Sequence, residues 1–180
     1  MNILYLHGFG SRFSPSSTKV QTLRELGPVY GVDLDYTRPF SELYLIVVQA
    51  MRDYDIDVLV GTSMGGWAAA KIGTDTGTSF VAINPARNPG VALRKYLGTH
   101  LDHSGREYTL TEDALTDYTE FPLVKNARGI VLLDEGDEVI NSSLTQSITR
   151  EVYPTFMFSG GNHRFEHMAE SLSAIKLLVR

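Results

Sequence analysis

The sequence predicts an α/β fold, a mostly parallel central sheet flanked by helices and carrying one short insertion. Three observations lead to it. Short apolar runs rich in Val, Ile, Leu and Phe alternate with longer stretches whose apolar residues recur every three or four positions. A Gly61-Thr62-Ser63-Met64-Gly65 turn joins one apolar run to an Ala-rich stretch. One segment, 86–124, breaks the alternation and is too long for an ordinary connection.

Taken in order, strands are expected at Ile3–Leu6, Val29–Leu34, Val58–Val60, Phe80–Ile83, Ile130–Leu133 and Thr155–Phe158. Their near-continuous apolar character is that of strands buried on both faces. Helices are expected at about 17–26, 41–53, 64–74, 142–150 and 164–179, from apolar spacing. Ser41 with Glu42 reads as one helix start, and Asn141 or Ser142 as the cap of another. The 86–124 segment, polar and without a convincing apolar strand, is expected to form a lid or cap over a site. The alternative is a peripheral excursion covering a sheet edge.

The bulk properties set outer bounds. At 180 residues, with 43% hydrophobic and 21% charged residues, the chain suits one soluble domain over 1–180. A formal charge of -5 without a basic run argues against a nucleic-acid partner. The absence of Cys excludes disulfides, thiolate zinc sites and a Cys nucleophile. No signal peptide or membrane-length apolar stretch is read, so a cytoplasmic protein without stable membrane association is expected.

Chemistry concentrates at Ser63. A G-x-S-x-G turn between a strand and a helix exposes a serine hydroxyl at a strained corner, with the N–H groups of the new helix beneath it. Composition alone yields roughly 0.1 such matches per chain, so the strand–turn–helix setting carries the assignment. Serine needs a base to take its proton and an acid to orient that base. Asp137 and His163 follow Ser63 along the chain, each just past the carboxyl end of a predicted strand, where open α/β sheets build their sites. Glu135 and Glu138 read as solvated neighbours, Asp134 as a strand end, and His167 as a reserve base; His100 and His103 are not expected to be the base. The oxyanion donors are expected to be the N–H groups of Phe9, in the Gly-rich turn after the first strand, and of Met64. His7 is expected to support that turn. His163 and His167 have helical zinc-ligand spacing but lack the H-E-x-x-H pattern, so no metal site is expected. The chemistry calls for no cofactor.

With these residues in place, the chain resembles the YqiA-type esterases, small bacterial members of the α/β-hydrolase superfamily. The resemblance runs from Leu4 to about Phe165 on six blocks: Leu4-Tyr5-Leu6-His7-Gly8-Phe9, Ser63-Met64-Gly65-Gly66, Ile83-Asn84-Pro85-Ala86, Tyr96-Leu97-Gly98, Gly136-Asp137-Glu138-Val139 and Gly160-Gly161-Asn162-His163. It implies an α/β-hydrolase fold and hydrolysis of a small-molecule acyl ester or acyl thioester, and it carries over Ser63, Asp137 and His163. The chain departs from the family at Gly10-Ser11-Arg12-Phe13, at Trp67 where Tyr is usual, at Arg164, and at His103-Ser104-Gly105-Arg106-Glu107-Tyr108 in place of a Tyr-Thr-Gly-like turn. His7, Trp67, Tyr96 and Arg164 are expected to border the substrate. Amide or peptide hydrolysis on the same residues, and a binding protein that keeps the scaffold without turnover, remain as alternatives.

Overall fold

A computed structural model describes residues 1–102 and 105–178; His103 and Ser104, part of the expected family-specific turn, lie outside the described residues. Six parallel strands form the central sheet: β1 (Ile3–Leu6), β2 (Val29–Gly31), β3 (Val58–Thr62), β4 (Ser79–Ile83), β7 (Gly129–Asp134) and β8 (Thr155–Phe158), in the order β2-β1-β3-β4-β7-β8. Every residue of β1, β3, β4 and β7 is buried, which accounts for their unbroken apolar runs.

Successive side chains leave opposite faces of a strand, so the sheet builds two cores. Leu4, Leu6, Leu59, Phe80, Ala82, Val131 and Leu133 face α2 (Phe40–Asp53) and α3 (Met64–Thr76). Ile3, Tyr5, Val58, Val60, Val81, Ile83, Ile130 and Leu132 face α1 (Thr18–Leu23) and α6 (Met168–Leu178). The remaining long connection between β7 and β8 carries α5 (Ser142–Thr149), capped as expected by Asn141, whose Oδ1 accepts the Leu144 N–H at 2.9 Å. Among the described residues no helix is long and apolar enough to cross a membrane.

Of the elements whose bounds differ from those expected, three do so where a side chain captures the backbone. Strand β2 ends at Gly31 instead of Leu34. The Leu34 N–H donates to His7 Nε2 at 2.9 Å, and Asp33 takes the Phe13 N–H at 2.8 Å, so the chain leaves the ladder. Helix α2 begins at Phe40 behind Pro39, not at a Ser41 cap. Its free Phe40 and Ser41 N–H groups donate to the two carboxylate oxygens of Asp117, both at 2.8 Å, from a residue far along the chain. Helix α6 begins at Met168 instead of 164, because Asp134 holds the Glu166 N–H and Phe165 adopts a positive φ of 65°.

Within 86–124 the structure contains a short α4 (Pro89–Ala92), two 3-10 turns (Leu93–Tyr96 and Asp113–Leu115) and an antiparallel hairpin, β5 (Gly98–Leu101) with β6 (Glu107–Leu110). The hairpin was not legible as strands because β5 is exposed throughout and buries no alternating apolar face. The base of the excursion is tied down. Tyr118 is buried and donates to Arg38 O at 2.8 Å, the Gly90 N–H reaches Tyr118 O, and the Phe121 N–H reaches Arg87 O.

Candidate active site

The site forms where β3 turns into α3. Ser63 takes the N-cap position with φ 59° and ψ −118°, a region that costs a non-glycine residue about 1–3 kcal/mol. That conformation turns its hydroxyl away from the first turn of the helix, so Ser63 makes no capping bond. The surroundings over-determine it. The Ser63 N–H donates to Ile83 O at 2.9 Å, and Ser63 O accepts the N–H groups of Trp67 and Ala86, both at 3.1 Å. The flanking glycines are dictated by space. A Cβ on Gly61 would fall 2.0 Å from Gly65 O, and one on Gly65 would fall 2.0 Å from Leu6 O. From Val58 to Ala70 every residue is buried except Ser63, which opens to the surface.

His163 comes from the loop after β8 and Asp137 from the loop after β7. His163 Nε2 lies 3.0 Å from Ser63 Oγ, and Nδ1 lies 2.8 and 3.0 Å from the oxygens of Asp137. A carboxylate only accepts, so Nδ1 carries the proton and Nε2 is left to accept from the serine hydroxyl. The Asp137 side chain is fully buried, and its Oδ1 also accepts the N–H groups of Val139 and Ile140, both at 2.8 Å. An imidazole held in this way can remove a proton from Ser63, with the resulting imidazolium facing a buried carboxylate.

The neighbouring acids separate by their partners. Glu138 Oε2 accepts the His163 N–H at 3.0 Å. Bonds from its own N–H and from that of His163 hold the Glu138 carboxyl below the usual carboxylate range. Asp134 pairs with His167 Nδ1 at 2.7 Å, so the expected reserve base already has its own acid.

The loop after β1 flanks the hydroxyl. A Cβ on Gly8 would touch Ser63 Cβ at 3.5 Å and Oγ at 3.9 Å. Phe9 follows Gly8, and Met64, as the first residue of α3, carries one of the N–H groups that helix geometry leaves without a partner. Phe9 stacks on Tyr96 at 5.5 Å and meets Tyr108 edge-on at 5.6 Å, so the insertion rests on this loop.

Of the residues expected to border the substrate, Tyr96 lies against the site loop, and Arg164 is exposed beside His163 with its carbonyl bonded to Lys19 Nζ. His7 and Trp67 are corrections. His7 is 3% exposed; its Nδ1–H donates to Gly8 O and its Nε2 accepts from Leu34, so both ring nitrogens are used inside the protein. Burial pushes its pKa below the ordinary histidine value, which suits the neutral form those two bonds require. Trp67 is fully buried, packed against Phe40 and Tyr118 in the core that lies between α3 and α2.

Sequence reasoning placed Asn84 in a resemblance block but gave it no role in the site. It is fully buried with φ 40°, and it donates through Nδ2 to the carbonyls of Asn162 and His163 at 3.1 and 3.3 Å. Its signal was a polar residue directly ending an apolar strand.

A family profile described as an uncharacterised protein family, UPF0227, matches residues 2–180. The chain belongs to UPF0227. A UPF0227 protein of Shewanella loihica is 25% identical over 180 residues, covering 97% of this chain and 96% of that one. Among solved structures, the mouse alpha/beta hydrolase domain-containing protein 10 superposes with a TM-score of 0.71 at 15% identity, covering 99% of this chain and 89% of that one. A monoacylglycerol lipase from Paleococcus ferrophilus gives 0.70 at 15% identity, covering 99% and 93%. The architecture of this UPF0227 member is that of the α/β-hydrolase fold.

Proposed function

We propose that this UPF0227 protein is a serine hydrolase that cleaves carboxylic ester or thioester bonds, and that its motif blocks align it with the YqiA-type esterases. The observation that carries the reading is the unbroken series from buried Asp137 through His163 to Ser63 Oγ, with spacings of 2.8 and 3.0 Å. Position along a sheet edge would bring many polar residues near one another. A strained serine that forgoes its helix cap and faces an imidazole nitrogen lacking a proton is the arrangement nucleophilic catalysis needs.

In this reading Ser63 Oγ attacks the acyl carbonyl while His163 Nε2 takes its proton. The Phe9 and Met64 N–H groups hold the oxyanion, an interaction worth roughly 3 kcal/mol per donor in the transition state. His163 returns the proton to the departing alcohol or thiol. Water, deprotonated by the same nitrogen, then releases the acyl group and Ser63. Tyr96 and Tyr108 form one wall above the oxyanion loop, and Arg164 stands on the rim. The base of the insertion is bonded to α2 and to its own flanks, which sets the insertion over the oxyanion loop as a cap. An acyl ester substrate is in keeping with the monoacylglycerol lipase that shares the fold.

Labelling by a fluorophosphonate probe tests the reading. Wild type is expected to label and to hydrolyse p-nitrophenyl esters of some chain length or acyl thioesters faster than peptide amides, and Ser63→Ala to do neither. Full ester hydrolysis by Ser63→Ala, or a preference for amides, overturns it.

A further inference from the structure

Besides the Asp137–His163 pair, the described residues hold one further carboxylate–imidazole pair, Asp134 with His167. Asp134 ends β7 with its side chain fully buried. Its Oδ1 accepts His167 Nδ1–H at 2.7 Å, and its Oδ2 accepts the N–H groups of Glu166 at 2.8 Å and Asn162 at 3.2 Å. These donors bracket His163 on both sides along the chain. Asn84 completes the enclosure: its Oδ1 takes the Asp134 N–H at 2.9 Å while its Nδ2 holds the carbonyls of Asn162 and His163.

The loop is shaped around that carboxylate. Gly161 has φ +68°, and a Cβ there would fall 1.9 Å from Asp134 Oδ2. The His167 ring lies parallel to Phe158, with centroids 5.2 Å apart and planes 9° apart. Packing alone would be served by another aromatic ring. What imidazole adds is the third donor to a buried carboxylate, a group that is strongly destabilising unless its oxygens are bonded.

We infer that Asp134 and His167 are positioning residues that fix the loop carrying His163, so that Nε2 stays in line with Ser63 Oγ. The inference rests on the hydrolase reading for its effect on rate. Two acids of one turn thus divide the work: Asp137 holds the ring of His163, and Asp134 holds the backbone on either side of it.

Two substitutions separate the donor from the ring. His167→Phe keeps a flat ring on Phe158 and loses the donor; His167→Asn keeps an amide N–H near the place of Nδ1 and loses the ring. On the full chain, kcat and KM for a p-nitrophenyl ester and amide hydrogen exchange at Asn162 and Glu166 are measured. His167→Phe is expected to lower kcat about 10- to 100-fold, the range for a small misplacement of a catalytic group, with KM unchanged and faster exchange at both amides. His167→Asn is expected to restore kcat to within about 3-fold of wild type and to restore protection. Wild-type exchange in His167→Phe, or a His167→Asn as impaired as His167→Phe, overturns the inference. If His167→Phe does not fold, His167→Asn alone decides, and fast exchange at Glu166 there counts against it. If wild type neither labels nor hydrolyses esters, the hydrolase reading fails, and the exchange data still judge the clamp.

Discussion

Replacing Asp137 by Asn changes one atom and, by the geometry of the site, should disable the base without unfolding the protein. Oδ1 accepts two backbone N–H groups, from Val139 and Ile140, at 2.8 Å each. The new amide must keep its carbonyl oxygen there. The flipped amide would set its NH2 against these two backbone donors and lose both hydrogen bonds, each worth about 0.5–1.5 kcal/mol. The NH2 therefore takes the place of Oδ2, 2.8 Å from His163 Nδ1. A donor at that point forces the imidazole proton onto Nε2, the nitrogen that faces Ser63 Oγ. The ring can then no longer accept the serine proton. The loss in kcat should be about 10⁴-fold, as for the same change in other triads, which corresponds to about 5.5 kcal/mol in the barrier. Ester hydrolysis is followed between pH 6 and 9, with the melting temperature recorded beside it. The expected result is a folded variant with collapsed kcat and little change in KM. A variant that keeps a tenth or more of wild-type kcat would refute the assignment of Asp137 as the orienting acid.

Other consequences follow from the same geometry. Gly65→Ala drives a Cβ into two backbone oxygens, Leu6 O at 2.0 Å and His7 O at 2.6 Å. It should destabilise by about 3 kcal/mol or more, seen as a lowered urea midpoint or insoluble expression. Asp117→Ala frees the two N–H groups that start α2. It should lower the free energy of unfolding by about 1–2 kcal/mol with ester hydrolysis little changed. The pKa of His7 is lowered by burial, so the unfolded chain takes up its proton more readily. Its contribution to stability is complete above about pH 6.5 and falls as pH drops from there through the lower folded value. His7→Gln, which can still accept the Leu34 N–H, should flatten that part of a stability-versus-pH curve measured by urea unfolding; an unchanged slope would count against the buried neutral imidazole.

By itself the sequence determined the layered sheet and the position of Ser63. Strands buried on both faces must be apolar throughout, and a strand that turns into a helix within one residue needs small neighbours. Gly61 and Gly65 therefore announced the corner before any coordinates did. The order Ser63, Asp137, His163 was legible because residues at the carboxyl ends of parallel strands converge on one edge. What the local pattern lacked was direction. Asp134, Glu135, Asp137 and Glu138 share one short turn, and only the folded chain decides that Asp137 meets the His163 ring while Asp134 turns inward to His167 and the backbone of its loop. Trp67, a departure from the family pattern, and His7, in the turn after the first strand, are expected from the sequence to border the substrate, and the fold buries both. Place in a motif does not say which neighbours a side chain packs against, and Trp67 packs into the core on Phe40. The cap of α2 by Asp117 and the seating of Tyr96 on Phe9 join residues far apart in the chain. Bonds of that kind leave no periodic trace, so they belong to the tertiary structure alone.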